Sequence, residues 1–146
     1  MSLDGVEELM AESRCRRVLV GFYRAIDEAR FSDAAIYFAE EAEWHRRGVI
    51  LKGRKAVEDA YKDRGPEVRT RHILSNLMID VRPEGTALFS LNITFYMGVS
   101  SPDDVPTVSG PSTVLYSFGE LRRDSDWRIA QKETRREFNL GTVPTV

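Results

Sequence analysis

Residues 69–81 read RTRHILSNLMIDV. The stretch Thr70–Val81 is rich in aliphatic and β-branched side chains. It is bounded by Gly65-Pro66 on one side and Pro83-Glu84-Gly85 on the other, which predicts a long β-strand. Side chains alternate across a strand, so His72, Leu74, Asn76 and Met78 fall on one face and Ile73, Ser75, Leu77, Ile79 and Val81 on the other. A single sheet with one wet face would separate apolar from polar cleanly. Here both faces carry aliphatics, so both are expected to be covered, one by helices and the other by a second copy of the chain.

Three further segments downstream have the same character: Ala87–Val99, Ser112–Leu121 and Trp127–Phe138. Upstream the pattern is helical. Val6, Leu9, Met10, Val18, Leu19, Phe22, Tyr23 and Ile26 recur at gaps of three and four, predicting an amphipathic helix over about residues 6–30. Ser32 is placed to cap a short second helix running through Phe38, with Asp33 in its first turn. Glu43–Arg47 reads as a short strand, and Arg54–Arg64 as a third helix stopped by Gly65-Pro66. Helices first and long adjacent strands afterwards predict an α+β fold with an antiparallel sheet. Strands of this length call for strong twist or curvature.

The 146 residues fit one domain spanning 1–146. A net charge of −2, with both signs interspersed, offers no basic footprint for nucleic acid. No apolar run is long enough to span a bilayer, and the acidic start MSLDGVEELM does not read as a signal peptide. Cys15 is the single cysteine, which excludes an intrachain disulfide. The expectation is a reduced cytoplasmic protein without a membrane partner.

The chemistry-bearing residues are few. His45 and His72 are the two histidines, on separate elements, so no metal is expected. No dinucleotide or phosphate-loop glycine pattern, zinc-protease helix or nucleophile elbow is present, and no cofactor is expected. An imidazole near neutrality can act as a base, and His72 would need an orienting partner on its second ring nitrogen. Asp27, on the edge of the first helix's apolar stripe, is placed to supply it; the alternative is a solvated acid in the helix's last turn. His45 in EEAEWHRRG reads most simply as a surface histidine and Trp44 as core or pocket wall. Asn76 and Tyr23 could donate hydrogen bonds to a substrate, or bond to neighbours instead. Arg46-Arg47, Arg122-Arg123 and Arg135-Arg136 read as solvated or interface charges.

The order AIDEARF (25–31), YFAEEAEW (37–44), a glycine and a helix, RTRHILSN (69–76) and RRDSDWRI (122–129) resembles the SnoaL-like branch of the NTF2-like superfamily. It is most similar to the group containing scytalone dehydratase and hexachlorocyclohexane dehydrochlorinase. The resemblance implies a cone in which a strongly curved, antiparallel or mixed sheet wraps N-terminal helices around a pocket. It implies Asp27 and His72 as a catalytic dyad, in which the histidine removes a proton. His45 falls near a family position that helps polarise a carbonyl through water. The second pocket histidine of scytalone dehydratase has no counterpart; Phe95–Met97 stands there, so Phe95 and Met97 join Tyr23, Trp44, His45 and Asn76 as expected substrate contacts. The implied function is a cofactor-independent lyase or isomerase acting on a small, largely apolar cyclic molecule. The alternative is a non-catalytic binding or assembly subunit, as in ring-hydroxylating dioxygenases. The resemblance also favours a homo-oligomer, a trimer ahead of a dimer.

Overall fold

The computed structural model describes residues 3–140. The elements run α1 (Gly5–Asp27), α2 (Phe31–Ile36), β1 (Phe38–Arg46), β2 (Val49–Lys52), α3 (Gly53–Asp59), β3 (Val68–Arg82), β4 (Thr86–Val99), β5 (Thr113–Arg123) and β6 (Trp127–Asn139). The six strands form one mixed, curved sheet in the order β2-β1-β6-β5-β4-β3, against which the helices pack. All neighbours are antiparallel except β1 and β6, which run parallel. No helix among the described residues is long and apolar enough to cross a membrane.

α1 starts where Asp4 accepts hydrogen bonds from the Val6 and Glu7 amides at 2.9 and 2.8 Å, filling two of the orphan donors of a helix N-terminus. Cys15, Leu19, Phe22 and Ile26 recur at gaps of four, three and four, and form its fully buried stripe. Val6, Leu9 and Met10, expected on that stripe, are exposed because the first turns of α1 run past the core. The helix ends at Asp27 rather than near residue 30, because the backbone turns left-handed at Ala29 (φ 57°). α2 begins at Phe31 with Arg30, not Ser32, at its N-cap, and α3 is shorter than expected. The early strand is longer than expected. It turns back through Arg47-Gly48, both at positive φ, into β2, the geometry a tight two-residue hairpin requires.

The face assignment in β3 changes at one point. Ser75 pairs with Asn92 and Met78 with Ser90, so Asn76 and Leu77 share a single partner position. This is a β-bulge, with Asn76 at φ 50°. Beyond it, parity reverses. Thr70, His72 and Leu74 before the bulge, with Leu77, Ile79 and Val81 after it, all turn inward, while Ile73, Asn76 and Met78 are exposed on the outer face. The two-faced aliphatic pattern of this strand therefore arises largely from the bulge, and needs no covering subunit to explain it. Inner residues of β4, among them Phe89, Leu91 and Ile93, complete the core with Phe38, Trp44, Leu121 and Ile129.

An asparagine tolerates the left-handed backbone that the bulge needs, and a β-branched residue does not. Asn76→Val should lower stability by about 1–2 kcal/mol, whereas Asn76→Gly should stay within a few tenths. Chemical denaturation of the two variants checks this.

Candidate active site

Asp27 ends α1 and reaches across to β3, the edge strand of the sheet. Its Oδ2 accepts the His72 backbone N–H at 2.9 Å, and its Oδ1 accepts the Thr70 hydroxyl at 2.9 Å. Oδ1 also lies 2.6 Å from His72 Nδ1. Both side chains of the pair are only 10% exposed. The His72 ring lies between Tyr23 and Phe95, with ring centroids 4.9 and 4.8 Å away. Its Nε2 has no hydrogen-bond partner among the described residues, while Nδ1 is engaged.

Burial favours the neutral form of both groups, and the pair resolves this asymmetrically. For His72, burial lowers the pKa below the usual 6.5; Asp27 pulls it back in part, and Arg64 and Lys132 push it down further. For Asp27, burial raises the pKa, but the hydrogen bonds and charge of His72, with Thr70, outweigh that and hold it below the usual carboxylate value. At neutral pH the favoured state is an ionised Asp27 beside a neutral His72 protonated on Nδ1. The free Nε2 is then a base.

A second polar group lies deeper in the cone. Lys132 is buried on the inner face of β6. Its Nζ donates to Tyr23 Oη at 2.6 Å, to Thr134 Oγ1 at 3.1 Å and to Ser117 Oγ. It lies 5.1 Å from the ring centroids of both Tyr23 and Trp44. Trp44 Nε1 donates to the same Thr134 hydroxyl at 3.0 Å. Burial, then the charge of Arg46, lowers the Lys132 pKa well below 10.5. Sequence reasoning missed this lysine. Trp127 and Ile129 suggest that the odd positions of β6 face inward, but the ladder shifts between the Glu120 and Leu121 pairs, so Gln131 turns out and Lys132 turns in. The sequence carries little signal for it, since WRIAQK already places Arg128 and Gln131 among its apolar residues.

Of the expected site residues, Asp27, His72, Tyr23, Trp44 and Phe95 converge. Met97 sits beside them on the inner face, opposite Thr70. His45 and Asn76 do not reach the site. His45 alternates outward on β1, is exposed, and lies 3.4 Å from Glu43 Oε2. Asn76 is turned outward by the bulge. Among the described residues no three His, Cys, Asp or Glu side chains are grouped as a metal would require. The two best-formed surface clefts, of about 200 and 160 Å³, lie elsewhere: one beside Glu40, Glu41 and Arg54, the other beside Met10, Arg82 and Trp127.

Lys132 generates a pH signature. Between its lowered folded pKa and the unfolded value near 10.5, the unfolded chain holds the extra proton, so stability rises with pH towards 10.5. The rise should be on the order of 1 kcal/mol per pH unit where the difference is full. Lys132→Met should lose this slope between pH 7 and 10, as read by denaturation midpoints of the two proteins.

A comparison with curated proteins finds no match. Among solved structures, a Mycobacterium tuberculosis protein of unknown function superposes with a TM-score of 0.75 at 20% identity, covering 94% of this chain and 78% of that one. A scytalone dehydratase candidate from Novosphingobium aromaticivorans gives 0.74 at 20% identity, over 91% and 88% of the two chains. A hexachlorocyclohexane dehydrochlorinase, LinA type 2, gives 0.74 at 13% identity, over 97% and 96%. At these identities the likeness is one of fold. The family model for the SnoaL-like domain matches residues 7–133, nearly the whole described chain, and with the mixed curved sheet around α1 it places this protein in the SnoaL-like family of the NTF2-like superfamily.

Proposed function

We propose that the protein is a cofactor-independent lyase, of the dehydratase or dehydrohalogenase type, or an isomerase, acting on a small and largely apolar cyclic molecule. The observation that carries this reading is the Asp27–His72 pair, with Nδ1 held at 2.6 Å and Nε2 left without a partner. Nε2 takes a proton from the substrate carbon. Asp27 fixes the tautomer and stabilises the imidazolium that forms. The electron pair left on carbon moves towards an oxygen or a leaving group, where donors are needed. Lys132 and Tyr23 are the nearest candidates: Lys132 Nζ and Tyr23 Oη are hydrogen-bonded to each other at 2.6 Å. Phe95, Met97 and Trp44 supply apolar walls.

The second reading, a non-catalytic binding or assembly subunit, draws on the tight enclosure of His72 and on the two clefts lying away from it. The two readings part on rates. His72→Ala should remove nearly all turnover of any substrate the protein converts, with the fold retained. Asp27→Asn keeps the ring near its place but favours the wrong tautomer. It should cost several orders of magnitude, by analogy with the loss of about 10⁴-fold for that change in a serine-protease triad. The double variant should be little worse than His72→Ala alone, because the two groups act as a unit. Near wild-type turnover in His72→Ala would assign the chemistry to another group, whereas no turnover by the wild-type protein across cyclic ketones, phenols and halides would favour the subunit.

The pH profile tests the same base. Because His72 titrates below its ordinary 6.5, kcat/KM should climb with pH and level off at or below about pH 6.5. A limb above neutrality would assign the proton transfer to another group.

The outer sheet face still exposes Ile73, Met78, Leu88 and Phe138, and these form the contact of the proposed homo-oligomer, a trimer ahead of a dimer. Light scattering at micromolar concentration should return a multiple of the 16.6 kDa chain mass. A monomer would refute this.

A further inference from the structure

Two half-buried arginines without a carboxylate partner meet at the Tyr61 ring, and one of them, Arg64, adjoins the dyad. Arg46, at the end of β1, lays its guanidinium 4.7 Å from the Trp44 ring centroid and 5.3 Å from that of Tyr61. Arg64 lies 5.1 Å from the same Tyr61 ring and 5.8 Å from Phe31. Arg46 Nη1 donates to Tyr61 Oη at 3.1 Å, and Arg64 Nη1 to Thr70 Oγ1 at 3.3 Å. Thr70 in turn donates to Asp27, so Arg64 is one hydroxyl away from the dyad. Arg46 acts on the deeper group: it lies over the Trp44 ring, as Lys132 does, and its charge opposes that of Lys132.

The arrangement is electrostatically incomplete. Among the described residues, Arg46 and Arg64 are half-buried without a carboxylate partner, whereas the other half-buried arginines, Arg54, Arg122 and Arg128, each have one. Burial, and then the like charge of Arg46, hold the Arg64 guanidinium below its usual range, so the two share one field. Asp27 attracts Arg64, but both Asp27 oxygens are already taken up by Thr70 and His72. Unneutralised cations in a partly desolvated site are costly unless an anion joins them. Each guanidinium has five N–H donors in a planar fork, and Arg46 and Arg64 each spend one on a neighbouring hydroxyl. Their faces are held by aromatic rings and their remaining edges are unpartnered, the geometry that receives a planar carboxylate.

We propose that the ligand of this site is a small organic carboxylate, whose apolar body enters beside His72 while its carboxylate is held by Arg46 and Arg64. This rests on the reading of the Asp27–His72 site given above and adds the class of molecule it takes. The carboxylate is a handle. It fixes the substrate's orientation, and the proton lost to His72 comes from a carbon activated by a different group. A largely apolar molecule without such a handle would leave Arg46 and Arg64 unneutralised.

The test is binding, read by titration calorimetry without turnover. The probes are cyclohexanecarboxylate and benzoate, their amides as neutral isosteres, and inorganic phosphate. The carboxylates should bind saturably and at least about 10-fold more tightly than the amides at low salt, weakening as salt is added. Arg46→Gln and Arg64→Gln should each lower carboxylate affinity by about 5-fold or more while leaving amide affinity unchanged. Arg46→Lys and Arg64→Lys keep the charge without the fork, should fall between, and stand in if a glutamine variant fails to fold. Equal affinity for acid and amide, tighter binding of phosphate, no saturation by millimolar carboxylate, or wild-type affinity in the glutamine variants would each overturn the proposal. His72→Ala should still bind the carboxylates, so a failure of the base chemistry is distinguishable from a failure of this inference.

Discussion

One carboxylate joins the two halves of this protein. Asp27 stands at the C-terminal end of α1, where a negative charge opposes the helix dipole. It is also buried deeply enough for burial alone to favour its neutral form. What holds it there as an anion is β3. The backbone N–H of His72, the hydroxyl of Thr70 and the ring nitrogen of His72 converge on its two oxygens. The backbone contact also matters to the sheet. β3 is an edge strand, and an unpaired edge amide is a liability that Asp27 satisfies. The same three contacts dock the helix on the sheet, protect its edge and set the imidazole tautomer.

The remainder of the polar interior is arranged around that anion. Lys132 makes three hydrogen bonds to hydroxyls and none to a carboxylate, in a wall of aromatic rings where a full charge is expensive. Arg46 and Arg64 press on it and on His72 from the other side, and both tend towards their neutral forms. A neutral histidine is what a general base requires, so the surplus of positive charge favours the competent state of the free protein. An arriving anion would offset part of this field and raise the basicity of His72 at the moment of binding.

The sheet's irregularities decide which side chains take part. The bulge at Asn76 allows β3 to place Thr70 and His72 at one end and Leu77, Ile79 and Val81 at the other on the same inner face. The register shift in β6 turns Lys132 inward. Each inserts a residue into a strict period of two, and each would have to be known before parity could be counted beyond it.

The sequence by itself was enough for the class of fold, because helical and strand periodicities are local and strong; it supplied the order of elements apart from the short strand β2, and family resemblance paired Asp27 with His72. It read His45 as a surface histidine, yet the resemblance kept it among the expected contacts, and the structure leaves it exposed. It misplaced Asn76 and was silent on Lys132, because one added residue exchanges the faces of a strand while leaving composition and propensity unchanged. It took Arg46 for a solvated charge and placed Arg64 at the end of a helix, where a cation is ordinary. Only tertiary structure brought the two arginines onto Tyr61 and Arg64 within one hydroxyl of the dyad. They are 18 positions apart in the chain, and the field they share depends on distance through space, which no local pattern of residues encodes.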